Sequence, residues 1–124
     1  MRIVFTAREL DVMSVLWDRG PSTAAEVRAQ IDDHLAYNTV LSMLRILEDK
    51  GYAAHTEEGR AHRYHPRVGR DAAGVSAVSR LVDRLFGGSA ELLLTHLVRD
   101  QPLDEAELRR LRRVLDVRLR EGKK

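Results

Sequence analysis

The segment from Leu35 to Pro66, LAYNTVLSMLRILEDKGYAAHTEEGRAHRYHP, constrains the fold more than any other part of this chain. Val40, Leu41, Met43, Leu44 and Leu47 recur at helical spacing, while Asn38, Thr39, Ser42 and Arg45 fall on other faces. Each of those four polar side chains can hydrogen-bond to a base edge or a phosphate. Gly51 after Lys50 is a helix stop, so the spacing predicts a helix over 36–50. Beyond it, Tyr52 to Thr56 and Arg60 to His65 read as short strands flanking a Glu57-Glu58-Gly59 loop, a length suited to a hairpin. A helix leading straight into a basic hairpin suits a nucleic-acid duplex. The helix enters the major groove and the hairpin lies against the adjacent backbone.

Two helices are signalled before this segment. Thr6-Ala-Arg-Glu9 is a capping-box pattern, with Phe5 and Leu10 placed for a hydrophobic staple. Val12, Met13, Val15, Leu16 and Trp17 continue an apolar stripe as far as Gly20-Pro21, which ends the helix. Thr23-Ala-Ala-Glu26 repeats the box, and Val27 and Ile31 are the inward residues of a second, shorter helix. Capping boxes carry no functional information, but the order of elements does. Helix, break, short helix, turn, helix, hairpin is the order of a winged helix-turn-helix. The expected fold is mainly α: a winged helix over 1–70, with three helices and a hairpin wing, then a helical region over 71–124.

The second region reads as three helices. Val75, Val78, Leu81, Val82, Leu85 and Phe86 form a stripe that ends at Gly87-Gly88. Ser89 is a good N-cap for a helix carrying Leu92, Leu93, Leu94, Leu97 and Val98, and Pro102 interrupts it. Asp104-Glu-Ala-Glu107 opens a third helix with Leu108, Leu111, Val114, Leu115 and Leu119. The middle helix is too apolar for a solvated surface. With no sheet to cover these faces, a symmetry mate is the simplest cover, a small monomeric bundle being the alternative. The residues expected at the dimer contact are Leu81, Leu85, Phe86, Leu93, Leu94, Leu97, Leu108, Leu111 and Leu115.

Charge is informative by placement, not by total. The net charge is +2, and residues 1–70 hold ten Arg or Lys against ten Asp or Glu. From Gly59 to Arg70, however, Arg60, Arg63, Arg67 and Arg70 occur with no acid among them. A local basic stripe on a neutral domain can still grip phosphate. Tyr37, Asn38, Thr39 and Ser42 are therefore candidates for base edges, Arg45 for the backbone, and Arg60 and Arg63 for phosphate or minor groove. Each has a plainer alternative: Tyr37 packing under the helix start, Asn38 capping it, Arg45 pairing with Glu48 or Asp49, the two wing arginines merely solvated. The neutral N-terminal half also keeps open a protein-interaction module without sequence-specific DNA binding.

Several function classes are disfavoured. With no Cys there is no disulfide, thiolate metal site or cysteine nucleophile. His55, His62 and His65 share the predicted hairpin, but a spacing of three turns His62 and His65 to opposite faces, so no metal site is assigned. No Ser-His-Asp order, Gly-rich phosphate loop or His-Glu-x-x-His motif occurs, so neither a catalytic residue nor a cofactor is expected. No run approaches the roughly 18 apolar residues of a membrane span, and the start MRIVFTARELD lacks a signal-peptide pattern, so a cytoplasmic protein is expected.

The strings GRAHRYHP, LAYNTVLSMLRILEDKGY and LVDRLFGGSAELLLTHLV resemble the BlaI/MecI family of penicillinase repressors, over about Glu9 to Leu119. The resemblance implies an N-terminal winged helix that binds inverted-repeat operators as a homodimer held by C-terminal helices. It further implies repression of β-lactam or cell-wall stress genes, with a sensor-linked protease as a partner. Cleavage in well-known members falls within the dimerising helices, and the matching position here is Thr95-His96, where those members carry Asn-Phe. Leu41 likewise stands where they carry a basic residue. The missing cysteines separate the chain from the family's copper-responsive relatives.

Overall fold

The computed structural model describes residues 2–31 and 34–122; Asp32 and Asp33, two of the acids counted above, lie outside them. Both capping boxes form. In helix α1 (Ala7–Arg19) the Thr6 hydroxyl accepts from the Glu9 amide at 3.1 Å, and the Glu9 carboxylate accepts from the Thr6 amide at 2.7 Å. Helix α2 (Ala24–Gln30) opens on the same reciprocal pair between Thr23 and Glu26, at 3.2 and 2.9 Å. Leu10 stays exposed, and Phe5 packs edge-on against Trp17 and Tyr52, with ring centroids 6.0 and 4.9 Å away. Edge-to-face contact is a favoured geometry for aromatic pairs.

Helix α3 (Tyr37–Asp49) ends as its sequence implies, with Gly51 in the left-handed region at φ +84°. The Tyr52 amide reaches back to the Leu47 carbonyl at 2.9 Å and closes the turn. The hairpin is longer and tighter than expected. Strands β2 (Ala53–Glu58) and β3 (Ala61–Pro66) pair antiparallel as far as Glu58 opposite Ala61, so the turn is Gly59-Arg60 alone. Gly59 has φ +63°, and Glu57 and Glu58 belong to the strand. A two-residue turn with glycine first matches the strands' own twist, so no third loop residue is required.

One further strand gives no sequence signal. Ser22 and Thr23 form β1, which pairs with β3 through Ser22 opposite Tyr64 and Thr23 opposite Arg63, giving a sheet of order β1-β3-β2. The wing is thereby stitched to the junction between α1 and α2. Beneath it, Val12, Met13, Leu16, Val27, Val40, Leu44, Leu47 and Tyr64 are fully buried and form the core. Glu9 joins them at 4% exposure, answered by the Lys50 ammonium at 2.7 Å. Burial alone would raise the Glu9 pKa, but Lys50 and the Thr6 amide outweigh it and hold the carboxylate below its usual range.

The chain divides into two compact units, residues 1–79 and 80–124. Helix α4 (Arg70–Arg84) begins at the division expected from sequence and runs through the observed one. In the first unit the Ser76 hydroxyl takes the Ile3 amide at 3.1 Å and returns a bond to the Ile3 carbonyl at 2.9 Å. The Trp17 indole donates to the Val68 carbonyl at 2.9 Å, fixing the chain as it enters α4. In the second unit Ser89 caps α5 (Ala90–Asp100), and the Asp104 carboxylate accepts from the Glu107 amide at 2.8 Å to open α6 (Glu105–Gly122). No described residue of α5 or α6 is buried. The fold is a mainly helical winged helix-turn-helix followed by this helical unit.

Candidate nucleic-acid interface

The two sides of α3 differ in kind. Val40, Leu44 and Leu47 are wholly in the core, while Tyr37, Asn38, Thr39, Ser42 and Arg45 are exposed. The N-cap is Ala36, with no side-chain cap bond, so Asn38 is not the cap and lies free one residue inside the helix. Tyr37 does not pack beneath the helix start; it is 46% exposed. Arg45 forms no ion pair with Glu48, whose carboxylate instead accepts from His55 at 2.7 Å. Arg45 lies beside the Tyr64 hydroxyl. Burial raises the Tyr64 pKa, the Glu48 charge adds to that, and Arg45 offsets part of it.

A cleft of about 310 Å³ separates α3 from the wing. Tyr37, Leu41 and Arg45, one helical turn apart on a single face, line one side, and Arg60, Ala61 and His62 line the other. Leu41 is therefore the apolar floor between two polar neighbours. Helix α3 carries no acid in its first turn, in contrast to α1 and α2. Its positive dipole end is left unneutralised.

The basic stripe is not uniformly available. Arg60 is exposed at the turn and makes no ion pair among the described residues. Arg63 differs from expectation. Its guanidinium donates to Glu58 at 2.6 Å, to Glu26 at 2.8 Å and to the Pro21 carbonyl at 3.2 Å. It ties β3 to β2, to α2 and to the α1–α2 junction at once, so its fork is already committed. The Thr23 amide, aided by Arg63, lowers the Glu26 pKa to about 2; Arg63 itself lowers that of Glu58, and the carboxylates raise that of Arg63. Arg70 is likewise engaged, paired with Asp18 and stacked over Trp17 at 5.5 Å. Of the four arginines in the acid-free stretch, Arg63 and Arg70 are met by acids outside it: Glu58 across the β2–β3 pair, Glu26 on α2 and Asp18 on α1.

In the second unit, Leu81, Leu85, Leu97, Leu108 and Leu115 are exposed, and Phe86, Leu93, Leu94 and Leu111 are only half-buried. Leu85, Phe86, Leu92, Leu93 and Leu97 line an apolar groove of about 520 Å³. Thr95 and His96 lie inside α5. The Thr95 hydroxyl donates to the Glu91 carbonyl at 2.8 Å, and His96 meets Asp100 at 3.1 Å. None of the described helices is long and apolar enough to cross a membrane.

Comparison with known proteins follows the same lines. A family model described as penicillinase repressor matches residues 5–117. The transcriptional regulator BlaI of Mycobacterium tuberculosis is 38% identical over 112 residues, covering 86% of this chain and 79% of that protein. The penicillinase repressor of Staphylococcus aureus is 19% identical over 117 residues, 93% of each chain. Among solved structures, a MarR family protein from Bacillus stearothermophilus matches with a TM-score of 0.55 at 18% identity, over 98% of this chain and 78% of that one. Reduced AbfR bound to DNA matches with a TM-score of 0.52 at 23% identity, over 77% of this chain and 75% of that one. At such identities the structural matches speak for the fold.

Proposed function

The chain belongs to the penicillinase repressor family, and from that premise we propose that it is a homodimeric repressor reading an inverted-repeat operator through α3. The observation that carries this reading is the exposed row Asn38, Thr39, Ser42 and Arg45 on a helix whose opposite side is locked in the core. Short polar side chains near the helix N-terminus reach base edges, and Arg45 and Arg60 on either side of the cleft hold the backbone. Arg63 acts behind Arg60, fixing the wing instead of touching phosphate. The open leucine faces of α5 and α6 support dimerisation, which sets two reading helices one turn of duplex apart.

Repression follows from occupying a promoter and excluding polymerase. Family membership supports β-lactam or cell-wall stress genes as the targets, and the cytoplasm as the place of action. Relief by cutting α5 near Thr95-His96, with a sensor-linked protease as the partner, rests on the resemblance. Mass spectrometry of the repressor from induced cells tests that route, and only intact protein on derepressed promoters would exclude it.

A second reading, a protein-interaction module, is favoured by the self-neutralised Arg63 and Arg70 and by the formal neutrality of residues 1–70. One experiment separates the two. Binding to duplexes from the chain's own promoter and to unrelated duplexes is measured across a salt series. A repressor shows tighter promoter binding with log affinity falling linearly in log salt. Equal, weak, salt-insensitive binding to both duplexes favours the interaction module.

A further inference from the structure

In the hairpin register Glu57 stands opposite His62, and His55 opposite Tyr64. His55 and Glu57 on β2 therefore share a face with His62 on β3. One donor atom from each of these three residues lies within 4.8 Å of the other two. The two imidazoles stack, with centroids 4.1 Å apart and planes 9° from parallel. Behind them, the Glu48 carboxylate of α3 meets His55 Nδ1 at 2.7 and 2.8 Å. A carboxylate only accepts, so Nδ1 is the donor of this contact and Nε2 is the ring nitrogen left to face a ligand. That is how ligating histidines are oriented in metal sites, with a carboxylate behind the ring fixing its tautomer. Glu57 makes no ion pair among the described residues, whereas its neighbour Glu58 is held by Arg63.

We propose that His55, Glu57 and His62 form a binding site for a zinc-type divalent ion on the wing. Two imidazoles and one carboxylate favour the borderline transition ions over magnesium or calcium, which seek oxygen. Three protein ligands leave a fourth tetrahedral position for water. With metal–ligand bonds of about 2.0–2.2 Å, tetrahedral donors stand roughly 3.3 Å apart. The three side chains must draw in by about an ångström, and the rings must turn from parallel so that their lone pairs converge. His55 and His62 are half-buried and Glu57 is exposed, so side-chain torsions suffice. The bound ion joins the two strands near the wing tip and, through the His55–Glu48 contact, ties them to α3. Sequence reasoning tested His55 with His62 and His65; the strand register supplies Glu57 in place of His65.

The test uses the full chain without DNA, so it stands apart from the operator reading. Zinc chloride is titrated calorimetrically into metal-free protein, and cobalt substitution reports the geometry by visible absorption. The expected result is one ion per chain, with tetrahedral cobalt absorption. Glu57→Gln and His62→Ala each weaken binding at least about tenfold, and Glu48→Gln weakens it by about 10–100-fold through the lost orientation of His55. His65→Ala and His96→Ala leave binding unchanged. Glu57→Gln guards against a folding artefact, because its side chain is exposed and thermal melting of the metal-free variant should match the parent. No stoichiometric binding, or binding indifferent to both Glu57→Gln and His62→Ala, overturns the proposal.

Discussion

Replacing Leu85 and Leu115 together by Ala should dissociate the dimer while leaving the winged helix intact. Leu85 is 67% exposed and Leu115 47% exposed within one chain, and neither belongs to the core of the first unit. Burying a whole leucine side chain is worth about 1.5–3 kcal/mol, so covering roughly half of one contributes about 1 kcal/mol. In a twofold interface each position occurs twice, so the double variant loses about 4 kcal/mol, or about three powers of ten in the dimer dissociation constant. Sedimentation across a concentration series reads that shift directly. Once the protein is monomeric, the second half-site is no longer tethered, and affinity for a two-half-site duplex should fall by about 10²–10⁴. Affinity for a single half-site should stay as it was. An unchanged dimer in sedimentation would show that these faces do not make the contact, and a monomer that still bound the full duplex tightly would refute the tethering argument.

The other predictions concern the reading surface. Asn38→Ala should cost about 1–3 kcal/mol on the preferred half-site and far less on random duplex, and equal losses in an anisotropy titration would reduce Asn38 to a backbone contact. Arg60→Ala should weaken binding to all sequences and lower the salt slope by about one unit. Arg63→Ala should instead loosen the wing, seen as faster amide exchange in β2 and β3, and a fall in slope equal to that of Arg60→Ala would restore Arg63 as a phosphate contact. The Glu26 pKa is lowered from 4.5 to about 2 on folding, so its stabilising contribution is present above pH 4.5 and lost as pH falls through about 2. The Arg63 guanidinium Nε–H resonance should therefore persist through pH 4.5, and its loss near that value would contradict the clamp.

Local signals carried most of the fold. Thr6, Thr23, Ser89 and Asp104 each accept the amide that their sequence context assigns, because a capping bond spans three residues and needs no tertiary partner. Apolar periodicity picked out Val40, Leu44 and Leu47 correctly, since a helix face is also a local property. What stayed hidden is long-range. Strand β1 is two residues that pair only because β3 arrives beside them. Arg63 reads as a free cation because Glu26 lies 37 residues away and Glu58, though near in sequence, meets it only across the β2–β3 pair. The Trp17 bond to Val68 spans 51 residues and left no trace in composition. The His55–His62 pairing depended on a one-residue detail of turn length, since shifting the register by one residue turns every side chain to the other face.

These differences bear on how such a molecule is controlled. The first unit is complete in itself: its core is closed, and Arg63 and β1 hold the wing before any duplex arrives. A preorganised surface leaves little conformational entropy to lose on binding, so on the proposed reading α3 and Arg60 largely fix the affinity of one half-site. The second unit is the opposite, with leucines left open along α5 and α6. On the proposed dimeric reading, operator occupancy is then set where the protein is least finished, through the tether between two half-sites. The Thr95-His96 bond lies within a hydrogen-bonded helix, and a protease needs an extended chain, so cutting there requires α5 to open. If α5 is buried in the dimer, opening it and separating the protomers are linked equilibria. Duplex that favours the dimer must then protect the bond to the same thermodynamic extent. A switch placed in the second unit can thus remove repression without altering a single base contact.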